Sequence, residues 1–263
     1  MRATAILNLK GGVAKTTTVV NMAAILADRF RSKRILVIDC DSQCNTTDFF
    51  LGGEEVRTPT VADLLRMGRT SIIEEVITAY PPEETNVERV DIIPAADSLM
   101  DLDLSAARDG NANTKALYAA LSILEGAGRK YSYVLFDCPP AFNAAAVAAL
   151  EAANDVIIPV KYDGFSMAGM KNVRRQISNA KRINHDLQIS GILPTMWTPT
   201  KYTAAIDEHI HELGLPVYHH IRRSDTVDKM TFEGSALISC SKNSGAGADY
   251  KEFVDEYIGR ARK

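Results

Sequence analysis

Short, continuous apolar runs alternate along this chain with stretches in which apolar residues recur at helical spacing. Such runs predict strands that are buried on both faces of a parallel sheet, because a strand with one face in water alternates apolar and polar residues. The predicted strands cover residues 4–7, 34–39, 90–94, 133–137, 156–160, 189–193 and 217–221. The predicted helices cover residues 15–30, 61–65, 72–77, 98–108, 114–124, 144–153, 166–183, 204–213 and 249–262.

The order of these elements predicts the fold class. Strands that alternate with helices are joined by right-handed crossovers, which makes their sheet parallel. We therefore expect a doubly wound α/β fold with a mostly parallel sheet flanked by helices. No linker, repeat or low-complexity stretch divides the chain, so a single domain is expected over residues 1–263. The apolar side of the last helix, from Tyr250 to Ile258, is expected to dock on the sheet.

A glycine-rich segment joins the first predicted strand to the first helix. Residues 8–18 read N-L-K-G-G-V-A-K-T-T-T. Gly11 and Gly12 let the backbone approach an anion, and the free N–H groups at the start of the helix point toward it. Lys15 adds a positive charge for phosphate oxygens, and the Thr16 hydroxyl is suited to Mg²⁺. Strand, loop and helix together predict the phosphate-binding loop of a P-loop NTPase.

This segment departs from the usual phosphate-loop pattern, G-x-x-x-x-G-K-[ST], because Leu9 and Ala14 stand where that pattern has glycine. Residues 10–17 read K-G-G-x-x-K-T-T instead, with Lys10 as a second lysine at the start of the loop. A methyl group at Ala14 is expected to require a negative φ. An ordinary glycine turn is the alternative, and the paired lysines and threonines argue against it.

Acidic residues end two of the predicted strands. Asp39 and Asp41 close one of them, and Asp137 closes another. Because ligands of open α/β sheets bind at the carboxyl ends of strands, we expect these carboxylates near the phosphate loop. One or two of them can hold hydrated Mg²⁺ there. The alternative is that the aspartates only cap the helices that follow, but three of them beside a phosphate loop favour a metal site.

Composition limits the possible partners and the compartment. The chain has 263 residues, 46% of them hydrophobic, so it can bury a sizeable core. Its net charge is −3, from 30 basic and 33 acidic residues, whereas DNA-binding domains are usually basic. Any contact with DNA must therefore come from a local patch. The four cysteines have no C-x-x-C spacing and no export signal or membrane span is found, so we expect reduced thiols and a cytoplasmic location.

Three motifs resemble those of the ParA/MinD family of ATPases, in particular the ParA/Soj-type proteins that partition chromosomes and plasmids. Residues 10–17 resemble the deviant Walker A loop of this family. Residues 39–43 (D-x-D-x-Q) resemble its second motif, and residues 137–140 (D-x-P-P) resemble its Walker B end. The departures from the family pattern are Ala14 for glycine, Ser42 for proline, Arg222 for proline and Lys229 for glutamate.

The resemblance implies a site for ATP and Mg²⁺. The residues expected at the nucleotide are Lys10, Gly11, Gly12, Val13, Ala14, Lys15, Thr16, Thr17 and Arg222. Those expected at Mg²⁺ are Thr16, Asp39 and Asp137. The catalytic residues implied are Lys10, Lys15 and Asp41: Asp41 would orient the attacking water, and Lys10 would reach the partner's phosphates in a nucleotide-sandwich homodimer. A cation supplied across an interface in this way resembles an arginine finger.

The function implied is ATP-dependent DNA segregation. In the family, an ATP-bound dimer binds DNA non-specifically, and a ParB-like partner stimulates the hydrolysis that releases it, so the ATP-bound protein would be associated with the nucleoid. The cations expected at DNA are Lys201, Arg222 and Arg223. A second basic group lies near one face of the helix predicted at residues 166–183, where contact with DNA and simple solvation both remain open: Lys171, Arg174, Arg175, Lys181 and Arg182.

Other members of the family suggest three alternatives. A ParA-like positioner of a protein cargo would use the same switch and the same DNA surface. A MinD-like regulator would bind membrane through a C-terminal amphipathic helix, but no apolar face continues beyond Ile258, so no membrane contact is expected. A relative of the nitrogenase iron protein would hold an iron–sulfur cluster, and Cys138 and Cys240 lack a convincing ligand spacing.

Overall fold

Six parallel strands form one sheet between two layers of helices in the computed structural model of this chain. The residues that the structure describes are 1–57, 59–67, 86–110, 112–128, 131–162, 175, 177–179, 181–182, 184–241 and 244–261. The helix predicted at residues 72–77, and residues 166–174 of the helix predicted at 166–183, lie outside them.

The strands follow the apolar runs of the sequence closely. They are β1 Arg2–Ile6, β2 Arg34–Asp39, β3 Val90–Ile93, β4 Tyr131–Asp137, β5 Asp155–Lys161 and β6 Gln188–Thr195. Their order across the sheet is β3-β2-β4-β1-β5-β6, and all pairs are parallel. The α/β fold class is therefore confirmed. Because β2, β4 and β1 are neighbours, the loops that follow them meet at one edge of the sheet.

Ten helices are present in the described part of the chain. They are α1 Lys15–Arg29, α2 Asn45–Leu51, α3 Val61–Met67, α4 Ser98–Asp109, α5 Ala116–Gly126, α6 Ala144–Ala152, α7 Thr203–Glu212, α8 Thr226–Glu233, α9 Leu237–Cys240 and α10 Gly245–Ala261. The sequence did not predict α2, α8 or α9, because two of them span fewer than two turns and α2 begins with four polar residues. None of the described helices is both long enough and apolar enough to span a bilayer.

Each face of the sheet carries its own hydrophobic core. Successive residues of β2 alternate between the two: Ile35 and Val37 pack toward α1, α2 and α10, whereas Leu36 and Ile38 pack toward α3 to α6. This alternation follows from the pleat, which sends neighbouring side chains to opposite faces. A continuous apolar run is thus the expected sequence of a strand covered on both sides.

The strand predicted at residues 217–221 is not formed, which corrects that expectation. The segment 216–223 runs parallel to β6 but makes only isolated bridges, Ile192 to Val217 and Trp197 to Arg222. Pro194 in β6 has no N–H, so it cannot donate the next bond of a regular ladder. The N–H of His219 faces away from β6, as every second N–H of a strand does, and donates to the carboxylate of Glu256 at 3.3 Å.

The last helix, α10, completes the core on one face of the sheet. Its apolar stripe is buried as expected and consists of Tyr250, Phe253, Val254, Tyr257 and Ile258. The Tyr257 hydroxyl lies 2.5 Å from the Thr4 hydroxyl in β1, and the Tyr250 hydroxyl lies 3.3 Å from that of Thr18 in α1. These contacts join residues that are more than 200 positions apart.

Candidate functional site

The loop between β1 and α1 is held in a defined shape by its own side chains. Asn8 donates from Nδ2 to the Pro159 carbonyl at 2.7 Å, and its Oδ1 accepts from the Lys10 N–H at 3.0 Å. Lys15 is only 7% exposed, and its Nζ donates to the Lys10 carbonyl at 3.2 Å. Burial lowers the pKa of Lys15 despite the nearby carboxylates. The loop therefore curls around the buried ammonium group of Lys15, which an anion bound in the loop would contact.

Ala14 adopts left-handed backbone, with φ 66° and ψ 35°, so the expectation of a negative φ was wrong. For a residue with a β-carbon this conformation costs about 1–2 kcal/mol. The turn is held in place by Thr18, whose N–H and hydroxyl both donate to the Ala14 carbonyl, at 3.0 and 2.7 Å. Gly12 also has a φ of 66°, as the second glycine of the loop permits.

Asp137, at the end of β4, connects the phosphate loop to α2. Its Oδ2 accepts two hydrogen bonds of 2.6 Å, one from the Thr16 hydroxyl and one from the Thr46 hydroxyl. Its Oδ1 is buried and has no hydrogen-bond partner in the structure. Burial raises the pKa of Asp137 to about 6, although the two hydroxyls and Lys15 favour the ionised form. A buried, incompletely satisfied carboxylate beside a threonine hydroxyl fits a metal ligand.

Asp39, at the end of β2, anchors the start of α2. Its Oδ2 accepts from the N–H and the hydroxyl of Thr47, at 2.9 and 2.7 Å, and its Oδ1 accepts from the Asp41 N–H at 3.1 Å. Burial, followed by the charge of Asp137, raises the pKa of Asp39 to about 8. Both oxygens of Asp39 are thus already engaged, and the helix-capping alternative describes its contacts well. Its role at Mg²⁺ stays a prediction.

Asp41 borders a cavity of about 360 Å³ in front of the phosphate loop. Its Oδ1 accepts from the Gln43 N–H at 3.0 Å, which orients the carboxylate. The residues around this cavity are Gly11, Gly12, Ala14, Lys15, Thr16, Thr17, Asp41, Gln43, Asn45, Pro140 and Met196. The loop that follows β2 therefore faces the phosphate loop, as predicted from the strand ends. Asn45 and Met196 were not predicted.

A second cavity, of about 440 Å³, lies next to the first and shares Ala14, Thr17 and Met196 with it. Its walls include Lys161, Tyr162, Thr195, Ile221, Arg222, Arg223, Asp228 and Tyr250. Two adjoining cavities, one beside a phosphate loop and one with a mixed polar and apolar lining, suit the two halves of a nucleoside triphosphate. Lys161, the last residue of β5, and Tyr162, which follows it, were missed because no motif in the sequence marks them.

Arg222 borders this second cavity, but its charge is engaged. Its Nε and Nη2 each donate to Asp249 at 2.7 Å, and its backbone N–H donates to the same carboxylate at 2.9 Å. The Arg222 side chain also covers Gly245, where a β-carbon would come within 2.8 Å of it. The sequence did not reveal Asp249, because an acidic residue on a surface helix is unremarkable until its partner is known.

The two other cations predicted at DNA are exposed and belong to adjoining segments. The Arg223 N–H donates to the Trp197 carbonyl at 2.9 Å, which places Arg223 beside the segment that leads to Lys201. Lys201 lies with its Nζ 5.0 Å from the centre of the Tyr202 ring. Of the basic group predicted on the helix at residues 166–183, Arg175, Lys181 and Arg182 are described, whereas Lys171 and Arg174 lie outside the described residues.

A parallel sheet whose central strand leads into a phosphate loop, with a buried lysine and strand-end carboxylates beside it, defines a P-loop nucleotide-binding protein. A family model described as an AAA domain matches residues 1–189. The chromosome partitioning protein ParA of Caulobacter vibrioides is 32% identical over 268 residues, which cover 100% of this chain and 96% of that protein. The chain belongs to this AAA family and, within it, to the ParA-type ATPases.

Two further proteins are similar to the chain. The sporulation initiation inhibitor protein Soj of Bacillus subtilis is 33% identical over 193 residues, which cover 73% of this chain and 71% of Soj. The structure of cobyrinic acid a,c-diamide synthase from Mycobacterium smegmatis, with a bound ATP analogue and magnesium, is 28% identical and has a TM-score of 0.79. That match covers 100% of this chain and 96% of the synthase.

Proposed function

We propose that this chain is a ParA-type ATPase that segregates DNA, with ATP as its substrate and Mg²⁺ as its metal. The observation that carries the proposal is the loop with two lysines: Lys15 is buried and bonded to the backbone of Lys10, next to the carboxylates of Asp41 and Asp137. Relatives named for chromosome partitioning match over the full length of the chain, which supports the cellular role.

The residues around the first cavity have separate roles in hydrolysis. Lys15 and the N–H groups of the loop hold the phosphates, in a site that excludes water from the ammonium group. Thr16 and Asp137 would hold Mg²⁺, which when bound neutralises charge on the phosphates. Asp41 orients the attacking water, since its carboxylate borders the same cavity as Lys15 and the loop glycines.

Lys10 acts across a dimer interface. Its carbonyl is bonded to Lys15 and its N–H to Asn8, so the backbone at this point is fixed and the side chain starts from the rim of the loop. We expect ATP to bring two copies face to face, with each Lys10 reaching the phosphates of its partner.

The dimer would bind DNA through Lys201 and Arg223, together with Arg222. The overall charge of −3 offers no general attraction, so the patch must act locally, and doubling it in a dimer raises the effective concentration of the second half. Such contacts go to phosphates and ignore sequence. A ParB-like partner would stimulate hydrolysis and release the protein from the nucleoid. The alternative function is that the same cycle positions a protein cargo.

The described residues fit the membrane-binding and iron–sulfur branches of the family less well. The apolar stripe of α10, from Tyr250 to Ile258, is buried against the fold and so is not exposed for a membrane. Cys40 and Cys138 are completely buried, and burial raises the pKa of both thiols. Neither is placed to hold a cluster between two subunits.

The experiment is a DNA mobility shift at low salt with the Asp41→Ala protein and Mg·ATP, because this variant should keep ATP and accumulate the dimer. Replacing Lys201 and Arg223 by alanine should weaken binding about 10-fold or more and lower its salt dependence, whereas replacing the exposed Lys33 and Lys115 should not. Arg222 is left intact, since its loss would also free Asp249. Capture by liposomes without any DNA shift would reject DNA segregation.

A further inference from the structure

A cluster of metal-binding groups lies between α10 and the segment 216–223, and none of its residues borders either of the two cavities described above. His219 belongs to the segment beside β6, and Glu252 and Glu256 lie one turn apart on α10. One ligand atom from each of the three residues lies within 4.8 Å of the other two. We propose that His219, Glu252 and Glu256 form a binding site for a divalent transition-metal ion such as Zn²⁺, separate from the Mg²⁺ of the nucleotide.

The spacing of the first two ligand atoms matches that of a zinc site. His219 Nδ1 lies 3.4 Å from Glu252 Oε1. Two ligands of a tetrahedral Zn²⁺, each bonded at about 2.0–2.1 Å, are separated by about 3.4 Å. The Glu252 side chain is 61% exposed, so water can complete the coordination from the solvent side. This pair therefore needs little rearrangement to receive an ion.

The opposite nitrogen of the imidazole faces a carboxylate that can orient it. His219 Nε2 lies 3.5 Å from Asp249 Oδ1, and the Asp249 side chain is only 2% exposed. Asp249 is held in place by Arg222, which donates to both of its oxygens. Metal-bound histidines usually donate their second N–H to such a carboxylate, which fixes the tautomer and the ring orientation. With the proton on Nε2, the lone pair of Nδ1 is available for an ion beside Glu252.

Arg260 does not need Glu256 in order to stay in place. It lies 3.4 Å from Glu256 Oε2, the same oxygen that accepts from the His219 N–H. Arg260 also donates to the Val217 carbonyl at 2.7 Å and lies 3.9 Å from the centre of the Tyr218 ring. Glu256 can therefore turn its Oε1 toward an ion while Arg260 keeps two contacts.

An ion at this site would join the segment 216–223 to α10 and, through Asp249, would restrain Arg222 at the wall of the second cavity. The donor set also discriminates between metals. Imidazole nitrogen suits Zn²⁺, Ni²⁺ and Cu²⁺, whereas Mg²⁺ prefers six oxygen ligands and keeps its water. Binding should therefore depend on His219 for Zn²⁺ and not for Mg²⁺.

The test is a calorimetric titration of the nucleotide-free full chain with Zn²⁺ alone, repeated with Mg²⁺. The variants are His219→Asn and Glu252→Gln, and the control is His209→Asn, whose exposed imidazole lies 3.3 Å from Glu212 but has no second carboxylate in a comparable cluster of the described residues. We expect wild type and His209→Asn to bind one Zn²⁺ equally well. Each site variant should bind it about 10-fold more weakly or worse.

Glu252→Gln keeps the proposal testable if His219→Asn fails to fold, because the Glu252 side chain is 61% exposed and its replacement leaves the hydrophobic core intact. Equal zinc affinity in all four proteins, or no binding by wild type, would overturn the site. Co²⁺ is the second probe. A thiolate charge-transfer band in wild type would assign the metal to a cysteine and reject the site, whereas a spectrum without that band, lost in Glu252→Gln, supports it.

Discussion

At the scale of single residues, the site is surrounded by strained backbone. Ala14, Cys44 and Met196 all have positive φ, of 66°, 54° and 53°, although none of them is glycine. Ala14 and Met196 border both cavities, and Cys44 directly precedes α2. Strain of this kind persists where the surroundings dictate the backbone, and it concentrates at sites that must present N–H groups or side chains to a ligand.

Replacing Ala14 by glycine should therefore stabilise the protein. Removing the β-carbon relieves about 1–2 kcal/mol of strain. Glycine also makes the unfolded chain more flexible, which lowers the free energy of unfolding by about 0.4–1 kcal/mol. We expect the free energy of unfolding in urea to rise by about 0.5–1 kcal/mol. As a control, Ala27→Gly inside α1 should lower it by about 1 kcal/mol. Destabilisation by Ala14→Gly would show that the methyl group makes a contact worth more than the strain.

At the scale of elements, α2 is the part of the fold most directly tied to the site. Thr46 bonds to Asp137 and Thr47 bonds to Asp39, so the first turn of α2 is held by two carboxylates from two strands. Thr47 also accepts from the Ala95 N–H at 2.9 Å, which extends the connection to the end of β3. The Thr16 hydroxyl bonds to the same oxygen of Asp137 as the Thr46 hydroxyl does, so Asp137 links the phosphate loop directly to α2.

This anchoring should depend on pH. The pKa of Asp39 lies above its usual value in the folded protein, so the folded state holds more protons than the unfolded state between about pH 4 and pH 8. Stability without nucleotide and Mg²⁺ should consequently fall as the pH rises through this range. In Asp39→Asn the fall measured by urea unfolding should be smaller, whereas Asp255→Asn, at an exposed position, should leave it unchanged. Identical slopes in wild type and Asp39→Asn would contradict the prediction.

At the scale of the whole molecule, the proposed cycle depends on a second copy. Lys10→Ala should still bind Mg·ATP, because Lys15 remains and its Nζ can still donate to the carbonyl of residue 10. It should lose ATP-dependent dimerisation and turnover, because the charge offered to the partner's phosphates is gone. Light scattering with and without ATP measures the first and phosphate release the second, with Lys115→Ala as the control. A normal ATP dimer in Lys10→Ala would reject the role of Lys10 across the interface.

The sequence predicted the strands and the phosphate loop well, because both leave a local pattern: apolar runs for strands buried on two faces, and glycines between a strand and a helix. It predicted neither the left-handed Ala14 nor the bond between Arg222 and Asp249. Both depend on contacts between distant segments, which local spacing does not encode. The strand expected at residues 217–221 failed for a similar reason, since Pro194 in its neighbour withholds a donor.

The contact between Thr4 and Tyr257 has a consequence for how the protein is made on the ribosome. β1 is translated before both of its neighbours in the sheet, β4 and β5, and before the helix from Gly245, whose Tyr257 meets the Thr4 hydroxyl. The central strand must therefore wait, with its apolar side chains uncovered, while well over a hundred further residues are translated. Until β4 and β5 are made, β1 is an unpaired apolar strand, and chaperones that hold the emerging residues 2–30 should raise the yield of folded protein.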